Sequence, residues 1–424
     1  MSFFCNLPTH LPEEPIFFPP IIMLCPFFAT YLLIYRKSHK KYHSVLFLYN
    51  NNDKKLLIPG KRLYGQVTPS TATIFITPYP PPNDILPVIG IVQCRRHGQH
   101  QQDLPINLLV EGNAAKIHAF ADNVPLPLEI IYASACYERT PFNKDEMELL
   151  WQKRVLVLGG GTGGSKICLE LARAGVGNFT ICDPQRLEYA NISRHEGALP
   201  DVGKPKVDVI AERIYGINPA IKTEPHFDNI FDRTYDQVKD IFARQDIAIV
   251  STDKTAIQLQ SNEFTHKLGI PAVFGGCYEE ARGGEVFFTV PEKKTPCLAC
   301  LRGGLRQPQT NGKIDYSTAK STEDYQGQPG LHAAIDFVTC VEVMVSLGVL
   351  LRDSETSQLG KLIKSASNFI LIGGAMAEGF YRFRKPFDIF FQPLSGRRKT
   401  CPVCQGYADV LEGVDNILTN NCGG

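Results

Sequence analysis

The chain has 424 residues, 21% of them charged, and a formal net charge of +1. That leaves room for about two or three domains and excludes both a basic nucleic-acid footprint and an acidic tail. Its 13 cysteines, in a chain this long, exclude a small secreted disulfide scaffold; they suit a reducing compartment with a metal site and several buried thiols.

Residues 15–35 (PIFFPPIIMLCPFFATYLLIY) are almost wholly apolar and are followed by RKSHKKYH. Pro15, Pro19, Pro20 and Pro26 break the run, because proline cannot donate inside a helix and clashes with the preceding turn. The segment therefore reads as an extended lead-in and a buried strand, with no membrane span. Further strands are expected at Phe28–Tyr35, Ser44–Tyr49, Thr73–Thr77, Leu86–Cys94 and Leu126–Tyr132, punctuated by loops at PYPPPND and RRHGQHQQD. Residues 1–135 form a β-rich accessory domain in this reading.

From residue 136 the pattern changes. A helix over Asn143–Gln152 leads into RVLVLGGGTGG, and apolar runs then alternate with helical stretches. VLVLG, NFTICD, DIAIVST and PAVFGG read as strands, and Gly164–Ala174 and Lys206–Tyr215 as helices. Continuous apolar strands alternating with helices predict a doubly wound, largely parallel α/β sheet buried on both faces. EVFFTV, FILIGG and DIFFQP are further strands. A polar stretch at 306–328 precedes an apolar helix, Leu331–Leu351. The second domain spans 136–405, and 406–424 form a polar tail.

Gly159, Gly161 and Gly164 make a GxGxxG directly after a strand and at the opening of a helix. Glycines there allow a tight turn and let backbone amides approach a phosphate at the helix N-terminus. Asp183 follows about 20 residues on, where a carboxylate accepts ribose hydroxyls. Alone, this pattern describes any nucleotide holder, dehydrogenases first. Asn191, Arg194, Lys204 and Lys206 follow closely, however. Cationic clamps are what an enzyme breaking the α–β phosphate bond needs, and a dehydrogenase does not. Asp253 closes the strand end at Ser251-Thr252-Asp253 and could hold Mg²⁺; its plain alternative is a helix N-cap.

The glycine loop, LARAGVGNFTICD, NISRH, DVGKPKVDV, INP, VSTD, FGGCYEEARGGEVFFTV, PCLACL and CPVC together resemble the ThiF/MoeB superfamily, which includes ubiquitin-activating enzymes. The resemblance covers roughly residues 137–405, and Gln328-Pro329-Gly330-Leu331 with Ile335-Asp336-Phe337-Val338 resembles bacterial ThiF-domain proteins fused to other modules. It implies ATP-dependent adenylation of the C-terminal glycine of a small ubiquitin-like carrier. Asp183 would bind ribose, Asn191, Arg194 and Lys206 the phosphates, and Asp253 Mg²⁺. Arg139, in Tyr137-Glu138-Arg139-Thr140, would reach a partner subunit's site in a homodimer. Gln185 replaces a second acid and His195 a glutamine of many relatives. A conjugating enzyme is a further implied partner, and the location is cytoplasmic. Sulfur-carrier activation in cofactor biosynthesis and a non-catalytic nucleotide-binding scaffold are the alternatives.

Cys297, Cys300, Cys401 and Cys404 form two CxxC pairs, a Cys₄ set suited to a structural tetrahedral Zn²⁺, and they fall where the family places its zinc. The loop in which ubiquitin-activating relatives carry a thioester cysteine has none here. Cys277, at a strand end, is the candidate nucleophile; Cys340 is expected in the core and Cys422 in the tail. His97 and His100 have the wrong spacing for the JAB-type metalloprotease site that some fusions carry, so no protease activity is expected.

Overall fold

The computed structural model describes residues 44–49, 61–68, 73–84, 88–94, 106–111, 116–121, 124–293, 295–304, 329–380, 383, 385–394 and 396–404. The expected strand at Phe28–Tyr35, His97 and His100, residues 306–328 and Cys422 lie outside them.

The N-terminal sheet contains β1 (Ser44–Tyr49), β2 (Arg62–Thr68), β3 (Thr73–Thr77), β4 (Val88–Cys94), β5 (Ile106–Glu111), β6 (Lys116–Ala121), β7 (Val124–Leu126) and β8 (Leu128–Tyr132). Their order is β7-β6-β5-β4-β2-β3-β1-β8. It is a mixed sheet: β1 runs parallel to β3 and β8, and β4 to β5. Phe47, Leu63 and Ile76 are fully buried. The strands at 62–68, 106–111, 116–121 and 124–126 carry too weak an alternation to stand out in the sequence.

The second sheet begins with α1 (Lys144–Gln152), capped by Asn143, whose side chain accepts from the Asp145 and Glu146 amides while Glu146 reaches back. This capping box satisfies helix N–H groups that the helix itself leaves open. β9 (Arg154–Leu158), α2 (Thr162–Arg173), β10 (Asn178–Cys182), α3 (Lys206–Ile217) and β11 (Lys222–His226) follow, then α4 (Tyr235–Ala243), β12 (Ile247–Val250), α5 (Thr255–Leu268) and β13 (Ala272–Cys277). The order β11-β10-β9-β12-β13-β14-β15-β16 is completed by β14 (Gly283–Thr289), β15 (Phe369–Gly373) and β16 (Ile389–Phe391). β9 to β13 pair in parallel and β14 to β16 antiparallel.

Side-chain alternation splits the core. Val155, Val157, Ile181 and Ile249 join the layer containing α2, α3 and the apolar helix, whereas Leu156, Leu158, Ala248 and Val250 join the layer containing α4 and α5. Both faces of β9, β10, β12 and β13 are therefore largely buried, which is why these strands read as unbroken apolar runs, whereas the edge strand β11 is mostly exposed and polar. Because β10 and β12 flank β9 on opposite sides, the strand order reverses at the C-terminal end of β9. Ligands bind at such switch points in doubly wound sheets.

The apolar helix is α7 (His332–Leu350), followed by α8 (Gln358–Ser365). By length and composition α7 could cross a membrane, yet most of it is buried in the protein, packed on α2, α8, β13 and β14. Cys340 departs from expectation: it is exposed. Val338, Thr339, Glu342 and Val343 are buried while Cys340 and Met344 are not. Even this helix keeps one stripe turned away from the sheet, and periodic apolarity alone could not say which.

Candidate nucleotide and metal sites

Gly159 stands at the end of β9 with φ +99°, and an added Cβ would collide with the Ser251 carbonyl. At Gly164 a Cβ would collide with the Gly159 carbonyl. Only glycine at these positions lets the β9 end, the β12 end and the first turn of α2 approach one another. Gly161 is the N-cap of α2 without a side-chain cap, and nothing lies within 4 Å of where its Cβ would be. The first N–H groups of a helix have no partner within it, so this open end has the geometry and dipole that favour an anion.

Asp183 follows β10 and is only 6% exposed. Its carboxylate accepts from the Gly160 amide at 2.7 Å and from the Gln185 amide at 2.7 Å. The acid thus fastens the glycine loop. His195 secures the same loop from the other side. Its Nε2 donates to the Gly160 carbonyl at 2.9 Å, and its Nδ1 accepts from the Gly197 amide at 2.9 Å. A bare Nδ1 assigns the neutral tautomer, and burial pushes the imidazole pKa down to about 4. In the sequence His195 stands out only as a departure from relatives; the structure makes it a tie between two loops of the site.

Lys206 opens α3 and is 7% exposed. Its ammonium donates to Gln185 Oε1 at 2.8 Å, and burial holds its pKa below the ordinary value, although Asp183, Glu188 and Asp253 act to raise it. A neutral amide at 185 leaves the lysine charge uncompensated by that contact, which suits a site awaiting phosphate. Arg194 and Asp253 also act electrostatically on Lys206, the first lowering and the second raising its pKa. Asn191 shapes the loop before Arg194, its side-chain oxygen accepting from the Glu188 amide at 3.0 Å.

Asp253 is exposed. The N-cap of α5 is Lys254, so the helix-cap alternative for Asp253 is set aside. Lys204 faces elsewhere than the sequence suggests: its ammonium is held by Glu212 at 2.8 Å and Asp201 at 3.2 Å.

Arg139 is exposed in the turn between β8 and α1. Neighbouring Tyr137 accepts from Asn218, just past the C-terminus of α3, and lies beside Gly175, just past α2. That is the opposite sheet edge from the glycine loop, so Arg139 cannot complete the site of its own chain.

Cys277 is solvent-exposed at the end of β13, yet the protein packed around it and the Glu342 carboxylate raise its thiol pKa. Activated thiols have the opposite environment. The Cys297, Cys300, Cys401 and Cys404 sulfurs lie within 4.8 Å of one another, with neighbouring pairs at 3.5, 3.6 and 3.9 Å. A tetrahedral ion with ~2.3 Å metal–sulfur bonds spaces its sulfurs by ~3.8 Å, so the four fit such an ion. The cluster joins the start of α6 (Leu298–Gly304) to the segment after β16.

A switch-point glycine loop, a buried acid after the next strand and a buried lysine opening the following helix are features of the nucleotide-binding adenylyltransferase class, which includes the ubiquitin-activating-like enzymes. The ThiF family model matches residues 136–378, and the chain belongs to that family. The SAMP-activating enzyme E1 of Haloferax volcanii is 26% identical over 271 residues, 63% of this chain and 86% of that protein. The sulfur carrier protein ThiS adenylyltransferase of Escherichia coli is 26% identical over 238 residues, 55% of this chain and 91% of that protein. Among solved structures, Escherichia coli MccB with ATP is 21% identical, covers 61% of this chain and 68% of its own, and gives a TM-score of 0.45.

Proposed function

We propose that this chain adenylates the C-terminal glycine carboxylate of a small ubiquitin-like carrier protein. The carboxylate oxygen bonds to the α-phosphorus of ATP and the α–β phosphoanhydride breaks, giving carrier-CO-AMP and pyrophosphate. No base is needed, because the carboxylate is already ionised. Catalysis rests on positioning and on neutralising charge at the phosphates.

The observation that carries this reading is the buried Lys206, whose ammonium donates to the neutral Gln185 side chain at 2.8 Å and feels the charge of Arg194. A dinucleotide oxidoreductase has no use for that pair. In this reading Gly159, Gly161 and Gly164 admit the phosphates, Asp183 holds the ribose, and Asn191, Arg194 and Lys206 grip the phosphates. Asp253 would hold Mg²⁺, which supplies charge neutralisation on the phosphates. The four cysteines would hold a structural Zn²⁺. Arg139 would act on the site of a second copy in a cytoplasmic homodimer, and the 1–135 unit is an accessory domain. A ubiquitin-like conjugation system with a downstream conjugating enzyme is the context favoured by the resemblance. The raised thiol of Cys277 favours the second reading, sulfur-carrier activation, in which no thioester is formed on the enzyme.

The test is mass spectrometry of candidate carriers ending in Gly-Gly after incubation with the chain, MgATP and pyrophosphatase. An AMP adduct that disappears when the terminal glycine is removed supports adenylation. ATP binding without any adduct, across the carriers, returns the chain to a nucleotide-binding scaffold.

A further inference from the structure

The proline-rich segment 78–84 has the composition of a plain loop, and the proposed chemistry makes no use of it. In the fold it is an arm from the N-terminal sheet to α3, the helix that Lys206 opens. Pro78, Pro80, Pro81 and Pro82 fix φ at four of its positions and stiffen it. Tyr215 on α3 donates its hydroxyl to the Tyr79 carbonyl at 2.9 Å. At the tip, Asn83 adopts the left-handed conformation, φ 51° and ψ 32°, which asparagine tolerates better than most residues.

From there the Asn83 amide donates to Glu212 Oε1 at 3.3 Å and faces Asp208, one turn earlier on α3, whose carboxylate it favours in the charged form. The second oxygen of Glu212 accepts from Lys204 at 2.8 Å, and Glu212 is 7% exposed. Lys204 is zipped to the site: its carbonyl accepts from the Leu187 amide at 2.8 Å, and the Lys206 amide donates to the Gln185 carbonyl at 3.0 Å. Asn83, Glu212, Lys204 and the 204–206 strip thus form one continuous chain of contacts ending at the ammonium that Gln185 holds.

We propose that Asn83 is a positioning residue for the nucleotide site, through which the N-terminal unit fixes Glu212 and Lys204 and so sets Lys206 in its phosphate-facing place. The accessory unit is then a structural component of the adenylation site as well as a neighbour of it. The inference rests on the reading of Lys206 as a phosphate ligand.

The experiment measures MgATP affinity by calorimetry and stability by urea unfolding, on the full chain. Asn83→Gly deletes the amide while keeping the left-handed backbone unstrained, and should weaken MgATP binding about threefold. Asn83→Asp adds a third carboxylate beside Asp208 and Glu212, and should weaken it about tenfold. Lys204→Met should weaken binding alike, and Asn83→Gly should add little on top of it, since both act through one chain of contacts. Tyr215→Phe removes the other contact of the same arm and should leave MgATP affinity unchanged, which separates positioning from mere docking. Parental affinity in both Asn83 variants, full additivity with Lys204→Met, or an equal loss in Tyr215→Phe overturns the inference. A parent chain that binds no MgATP overturns the reading beneath it, and the inference with it.

Discussion

His195 Nε2 donates to the Gly160 carbonyl at 2.9 Å, so the loop after Asn191 holds the glycine loop by one neutral imidazole. Protonating His195 would force Nδ1 to give up the Gly197 amide and would place a charge in a buried site. Its pKa of about 4 in the fold, against 6.5 ordinarily, means that the unfolded chain binds the extra proton first. Stability should therefore fall as pH drops from 6.5 toward 4, by a few kcal/mol at most, and be unaffected by this residue above that window. Urea unfolding across pH in parent and His195→Gln measures it; the glutamine variant, able to donate to Gly160 without titrating, should flatten the dependence.

Arg194→Ala should lower the adenylation rate by about 10²-fold, the cost of losing one preorganised charge at a developing anion, with the fold intact because the side chain is only part-buried. Lys206→Met should cost at least as much in rate. It should also raise stability slightly, since burial disfavours the charged ammonium enough to hold its pKa below the ordinary value. Steady-state kinetics with urea unfolding of each variant separates the two effects.

Glu342 is 2% exposed on α7 and sits directly against the Cα of Gly275 on β13; its Oε1 has no hydrogen-bond partner among the described residues. Burial pushes its pKa up to about 8. Below an ordinary glutamate pKa of 4.5 both states are protonated and the group is neutral in its effect. As pH rises from there to 8 the unfolded chain ionises first, so stability falls, and it levels off above 8. Glu342→Gln should remove that slope and raise stability at pH 8 by a few kcal/mol, read by thermal or urea unfolding at pH 5 and pH 8.

The four-cysteine cluster should contain about one zinc per purified chain. Cys401→Ser or strong chelation should release it and lower Tm by about 5–10 °C. MgATP affinity at low temperature should be unchanged, because the cluster joins α6 to the segment after β16, away from the nucleotide residues. Metal analysis beside calorimetry checks both statements.

Much of this is legible in the sequence. The unbroken runs RVLVL, NFTIC and IAIV had to be strands buried on both faces, and Gly159, Gly161 and Gly164 had to form a loop at a strand end. The Cys₄ set is legible from spacing alone. What the sequence does not carry is direction. Lys204 and Lys206 stand two residues apart, yet one is held by Asp201 and by Glu212 on α3 and the other by Gln185. Cys340 sits in an apolar helix but on its outward stripe. Arg139 precedes the sheet and therefore lies at its opposite edge. His195 and Gln185 are visible only as substitutions, because their roles depend on Gly160 and Lys206, which the fold alone brings near.

The most direct measurement is ATP–pyrophosphate exchange with purified chain, Mg²⁺ and a panel of small proteins ending in Gly-Gly. Carrier-dependent exchange that is lost when the carrier's terminal glycine is deleted, and strongly reduced by Arg194→Ala, is the predicted result. MgATP binding without exchange for any carrier would contradict adenylation and leave a nucleotide-binding scaffold.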